Sequence, residues 1–178
     1  MKTRSAAMVL AVFLVSQPAL AQPISPPIQL PPGTCTAVQL APGFVDAQGA
    51  AGTQFDRLEL ANISGTSCTL DGFVTVQMLD ASNAPMPTID LPAGGMLGGF
   101  PGPSPFVLPP GASSQFVIAW SDVPVGSETT CLAASHLQLT PPGAASPVTL
   151  DIPPPTVAPC NSGTIDVSPL RPPGVAAP

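Results

Sequence analysis

The chain contains little positive charge, no tyrosine and one tryptophan. Its 178 residues include four Lys and Arg against ten Asp and Glu, which gives a formal net charge of −6. Nucleic-acid binding depends mainly on Lys and Arg that neutralise phosphates, and adsorption to anionic lipid depends on the same residues. Both functions are therefore excluded. The scarcity of Trp and the absence of Tyr also argue against a cleft that stacks sugar rings.

Residues that carry catalysis or bind metals are equally scarce. His136 is the single histidine and no nucleophile motif accompanies it, although a base must lie within hydrogen-bond reach of the nucleophile it activates. A zinc site needs several His or free Cys ligands, and calcium needs clustered oxygen ligands that the scattered acidic residues do not offer. The sequence predicts no catalytic residue, no metal site and no cofactor.

The start of the chain carries an export signal. Two basic residues precede an apolar run from Ala6 to Val15, and Ala19-Leu20-Ala21 matches a cleavage site. This pattern predicts a signal peptide over residues 1–21, cleaved after Ala21. The run is shorter than the about 20 apolar residues of a membrane-spanning helix, and no cysteine follows it directly. We therefore expect a periplasmic or extracellular protein with no membrane span and no lipid anchor.

Proline is abundant and unevenly distributed. The chain has 27 prolines, which crowd a predicted leader over residues 22–33 and a predicted tail over residues 171–178. A Pro-rich leader of this kind is typical of a semi-rigid spacer. Residues 34–170 form one predicted domain, because short runs of Val, Ile, Leu and Phe alternate there with turns. A domain of this length can bury roughly 70% of its unfolded surface and needs no metal to fold.

Apolar residues in this domain recur with the two-residue period of half-buried β-strands. The predicted strands are Thr36–Leu40, Phe55–Leu60, Phe73–Asp80, Gln115–Trp120, Cys131–Thr140, Val148–Ile152 and Ile165–Val167. Turn signals such as Pro42-Gly43 and Pro141-Pro142-Gly143 separate them, and no window after the signal peptide has a helical period. The pattern predicts an all-β fold, an antiparallel immunoglobulin-like β-sandwich of about seven strands, with a barrel as the alternative.

Export implies that the four cysteines are oxidised, and four cysteines allow three pairings. The predicted strands flanking Gly49-Ala50-Ala51-Gly52 form a hairpin that brings Cys35 next to Cys68. A second hairpin, through Pro141-Pro142-Gly143, brings Cys131 next to Cys160. The sequence therefore predicts the disulfides Cys35–Cys68 and Cys131–Cys160.

One loop, Ala81–Pro105, is long and rich in glycine, with a short strand expected around Thr88–Leu91. Loops of this length in a compact domain are usually functional or disordered. We treat Ala84–Phe106 as a candidate binding loop. Its apolar side chains would contact a partner; they are Met86, Met96, Leu97, Phe100 and Phe106. The alternative is a loop that only packs over a sheet edge or stays disordered.

Several segments of the chain resemble a known family. Leu60 to Phe73 (LANISGTSCTLDGF) is the most specific, and Leu108-Pro109-Pro110-Gly111 and Ile165–Leu170 support it. On these residues the chain resembles the bacterial exported family known as domain of unknown function 4232. The resemblance implies an immunoglobulin-like extracytoplasmic domain without an assigned activity. Asn62 in the first segment is predicted to close a turn, because Asn readily bonds its own backbone.

The favoured hypothesis is a non-catalytic exported module that binds a protein or a cell-envelope component through the candidate loop. An alternative is a carrier of a small ligand, or of a soft metal, in the cavity between the sheets, since thioether ligands such as Met78, Met86 and Met96 suit Cu(I). A hydrolase built from scattered carboxylates is a third possibility.

Overall fold

The structure, a computed structural model, describes residues 32–152, 157–175 and 177. The predicted signal peptide and most of the Pro-rich leader lie outside the described residues. The described part contains short 3-10 helices at Ala37–Gln39 and Gly95–Leu97, and none of its helices is long and apolar enough to cross a membrane. Its strands are β1 (Leu40–Ala50), β2 (Thr53–Asn62), β3 (Cys68–Leu70), β4 (Thr75–Leu79), β5 (Ile89–Pro92), β6 (Phe106–Leu108), β7 (Ser113–Ser121), β8 (His136–Thr140), β9 (Val148–Asp151) and β10 (Thr164–Val167).

The strands form two main sheets that pack as a sandwich. The larger sheet has the order β1-β2-β7-β10-β5, the smaller one has the order β4-β8-β9, and β3 pairs with β6 as a separate ribbon. Every strand pair is antiparallel except β10 with β5, which is parallel. Alternate residues of the two sheets point into one shared core, so the predicted all-β antiparallel sandwich is confirmed.

Large apolar side chains fill the space between the sheets. The larger sheet contributes residues such as Leu58, Leu60, Phe116, Ile118 and Trp120, and the smaller sheet contributes residues such as Val76, Met78, Leu137 and Leu139. All of them are buried, which agrees with the faces that the two-residue period assigns to them.

A tight two-residue turn connects β1 and β2 and sets the register of this hairpin. Ala51 and Gly52 both have positive φ, as a two-residue turn that matches strand twist requires. Across the hairpin Leu40 lies opposite Asn62 and Phe44 lies opposite Leu58, with a bulge between Phe44 and Asp46. The hairpin predicted around Gly49-Ala50-Ala51-Gly52 is therefore present.

Several predicted strand boundaries are wrong. Thr36–Leu40 is not a strand, because Gln39 and Thr36 cap a 3-10 helix at Ala37–Gln39. The chain extends only from Leu40, straight through the predicted Pro42-Gly43 turn. Proline is tolerated there because β1 is an edge strand.

The other boundary errors concern strand ends. The strand predicted over Cys131–Thr140 begins at His136, the one predicted over Phe73–Asp80 covers Thr75–Leu79, and the short ribbon strands β3 and β6 are not predicted at all. Three-residue strands carry too little alternation to be recognised by period.

Both disulfides lie outside the main sheets. Cys35 is bonded to Cys68 and Cys131 is bonded to Cys160, the pairs that the sequence predicts. Cys68 belongs to β3, and Cys35 donates its N–H to the Thr69 carbonyl at 3.0 Å. The first bridge therefore ties the start of the domain to the β3–β6 ribbon.

The free edge of β4 is covered by the segment that leads into β5. The Met78 N–H donates to the Thr88 hydroxyl at 3.0 Å, and the Val76 N–H donates to the Asp90 carboxylate at 3.4 Å. The Met78 carbonyl accepts from the Met86 N–H at 2.9 Å. Side chains thus occupy backbone groups that another strand would otherwise bind.

Candidate functional site

The face of the larger sheet that points away from the core carries a second apolar cluster. We call this surface the outer face. Leu97, Val117, Ala119 and Ala177 are buried there, and Phe55, Met96 and Phe100 pack against them. The cluster forms because residues 94–100 of the candidate loop fold back over β7 instead of extending into solvent.

A buried carboxylate holds this loop on the sheet. Asp166 on β10 is 3% exposed and accepts a hydrogen bond from the Met96 N–H at 2.7 Å. Gly94 lies directly on the Asp166 side chain, so that a β-carbon at residue 94 would overlap the carboxyl group. The turn at Gly94 and Gly95 therefore positions Leu97 and Phe100 on the outer face.

A pocket opens beside the loop, which we call the outer-face pocket. Its volume is about 250 Å³. It is lined by Asp46, Gln48, Phe55, Arg57, Phe100 and Val117. The apolar part comes from β2, β7 and the loop, and the polar part comes from one edge of β1 and from the guanidinium on β2. A mixed lining of this kind is typical of binding sites, where a few polar groups orient an apolar ligand.

The arginines of the described residues, Arg57 and Arg171, both lie on the outer face. Arg57 donates from Nη1 to the Asp46 carboxylate at 2.6 Å. Arg171 forms an isolated bridge with Gln115 of β7, and its guanidinium carbon lies 5.9 Å from the centre of the Phe100 ring. The Nε atoms of both arginines are buried and have no hydrogen-bond partner among the described residues.

A buried carboxyl group lies on the opposite face of the same sheet. Asp56 is 2% exposed, and its Oδ2 has no hydrogen-bond partner among the described residues. Burial, together with the smaller effect of the nearby negative charge of Asp46, raises the pKa of Asp56 to about 7. Because strand neighbours point to opposite faces, Asp56 lies behind the pocket and not in it.

The structure separates the five candidate loop residues. Leu97 is buried, and Met96 and Phe100 are partly buried on the outer face. Met86 and Phe106 instead pack against the core between the sheets, and Phe106 pairs with Leu70 in the β3–β6 ribbon. Phe100 alone lines the outer-face pocket.

The remaining residues that the sequence singles out have structural surroundings. His136 contacts the Asp151 carboxylate through Nδ1 at 2.8 Å, and Met78 is fully buried in the core. Asn62 donates to the carbonyls of Thr66 and Leu108 and accepts from the Ser64 N–H, so it closes the turn as predicted. Within residues 32–152, 157–175 and 177, no group of three or more His, Cys, Asp or Glu side chains could hold a metal ion.

A second open pocket of about 290 Å³ lies further along β7. It is lined by Ser113, Gln115, Gly174 and Val175. Gly174 and Val175 therefore lie beside β7, and Ala177 is buried in the second apolar cluster on the outer face.

Sequence reasoning missed the two arginines as site residues. Period two places Arg57 on the polar side of β2, which is typical of a solvated position. The available signal was their scarcity, because they are the only Lys or Arg residues of the chain apart from Lys2 and Arg4 in the predicted signal peptide.

A family model described as Domain of unknown function (DUF4232) matches residues 35–171. The match includes every residue of both sheets and of the outer-face pocket. No curated protein and no solved structure matches the chain.

Proposed function

We propose that this chain, which belongs to the DUF4232 family, is a non-catalytic exported module that binds a partner protein at the outer-face pocket. The observation that carries the proposal is the pocket itself, whose apolar lining of Phe55, Phe100 and Val117 lies beside polar residues. Two disulfides agree with folding in an oxidising compartment.

The size of the pocket favours a protein partner over a free small molecule. Pockets for small molecules usually measure about 300–1,000 Å³ and enclose most of the ligand. A volume of about 250 Å³ instead suits one large apolar side chain. Protein interfaces characteristically bury such an anchoring side chain in a pocket near their centre.

The composition of the pocket supports a binding role and not a catalytic one. Its lining contains no Ser, Cys or His that could act as a nucleophile or a base. The carboxylate in the lining, Asp46, is held by Arg57. Phe55 and Phe100 supply rigid aromatic area, the kind of contact that contributes most to protein binding.

Site-specific photocrosslinking in the native compartment tests the proposal. A photoreactive amino acid replaces Gln48, an exposed residue on the pocket rim, and a second protein carries it at Thr149, an exposed residue of the other sheet. We expect a discrete crosslinked protein from residue 48 and none from residue 149.

The matched substitutions are Phe100→Ala, which removes one wall of the pocket, and Val107→Ala, which shortens an exposed side chain of β6. The crosslink from residue 48 should disappear with Phe100→Ala and persist with Val107→Ala. A crosslink that survives Phe100→Ala in a folded protein would contradict the proposed site.

A further inference from the structure

We infer that the partner presents a carboxylate beside the apolar side chain that enters the outer-face pocket. This inference rests on the proposed function and adds the chemistry of the recognised group. It starts from Arg57 and Arg171, which occupy the same face of the larger sheet.

Strand register places the two arginines on either side of β7. Arg57 lies opposite Val117 on one side, and Arg171 bridges Gln115 on the other. Val117 and Gln115 are two residues apart and point to the same face. Phe100 connects the two positions, because it lines the pocket with Arg57 and lies under the Arg171 guanidinium.

Arg171 is the uncompensated charge of this pair. The chain has ten carboxylates, yet within the described ranges Arg171 forms no ion pair and lies on an aromatic ring instead. A guanidinium on a ring face keeps its in-plane N–H donors directed outward. Such donors match the two oxygens of a carboxylate.

The Nε atoms of both arginines also point to an acceptor on the partner. Both are buried without an acceptor in the part of the chain that the structure describes, and an unsatisfied buried donor lowers stability until it finds a partner. Phe100 is attached to a segment with glycines at 98, 99 and 102. A small displacement of Phe100 would let a carboxylate of the partner reach the guanidinium groups. The partner's apolar side chain next to that carboxylate would then fill the pocket.

The test compares N-acetylphenylalanine with its amide, which differ only in the carboxylate. Heteronuclear NMR of a chain that begins at Gln22, the predicted mature start, follows the side-chain Nε–H signals, because this chain contains only two arginines. We expect the acid to shift both signals and to bind about tenfold more tightly than the amide. Acetyl-Asp-Phe-amide carries its carboxylate on a side chain, so its affinity relative to N-acetylphenylalanine tells whether a side-chain or a C-terminal carboxylate is preferred.

The substitution Arg171→Gln should abolish the preference for acid over amide, whereas Arg171→Lys should restore only part of it, since Lys lacks the planar fork. Equal binding of acid and amide to the unaltered chain overturns the inference and leaves the proposed function intact. Absence of binding by all three probes also overturns it. Absence of any crosslink from the photoreactive residue at position 48 in the otherwise unaltered chain is the separate result that removes the proposed function.

Discussion

Replacement of Asp56 by asparagine should stabilise the protein at neutral and alkaline pH. Asp56 is buried on the core side of β2, and burial raises its pKa from 3.8 to about 7. A folded-state pKa above the unfolded value means that the folded chain holds this proton more tightly. The associated stability is fully present below pH 3.8 and is lost as the pH rises toward 7.

The size of the effect follows from the shift. Each pKa unit corresponds to about 1.4 kcal/mol, so an ionised Asp56 lowers the free energy of unfolding above pH 7 by on the order of 2–4 kcal/mol. Asparagine has nearly the same shape and no charge. We therefore expect the stabilisation by Asp56→Asn to grow by about 2 kcal/mol between pH 5 and pH 8.

Urea unfolding at both pH values measures the effect. The control is Glu59→Gln, which removes one carboxylate from the outer face of the same strand and thereby matches the change in net charge. The quantity compared is the free energy of unfolding of each variant relative to the unaltered chain. A gain for Asp56→Asn that is equal at pH 5 and pH 8, or a loss at pH 8, would refute the assignment of a buried, unpaired carboxyl.

Two further predictions concern the loop and the turn. Gly94→Ala should release the loop and destabilise the protein by about 1–3 kcal/mol, because the new methyl group overlaps the Asp166 carboxyl. The control Gly95→Ala places a methyl group that meets no neighbouring atom within 4 Å and should be nearly neutral. Equal shifts in the thermal unfolding temperature of the two variants would contradict this packing. Asn62→Ala removes the donor to the buried Leu108 carbonyl and the donor to the Thr66 carbonyl at the surface. It should cost about 1–3 kcal/mol in urea unfolding, against almost no change for the exposed control Thr149→Ala. A neutral Asn62→Ala would show that water replaces the side chain.

The sequence predicts the core of this fold well because the core obeys one simple rule. Leu58, Phe116 and Leu137 each sit on an apolar face that alternates with a polar one, and all three are buried. The rule fails where local side chains override it. Gln39 and Thr36 cap a helix in a segment that otherwise alternates like a strand.

The candidate site depends on features that periodicity does not contain. The fold brings together Arg57 from β2, Phe100 from the loop and Arg171 from beyond β10, and their spacing in the sequence gives no sign of it. The parallel pairing of β5 with β10 is equally invisible, because a strand of four residues has no pattern that identifies its neighbour. Only tertiary packing places the glycine-rich turn on Asp166.

The side chains that cover the edge of β4 also bear on how the protein avoids aggregation. An uncovered edge would offer its N–H and C=O groups to strands of other molecules, and edge-to-edge addition is a common start of aggregation. Thr88 and Asp90 already occupy these donors within the same molecule. The edge of β4 is therefore already hydrogen-bonded within the molecule, so neighbouring copies can come into contact at high concentration without pairing their sheets at this edge.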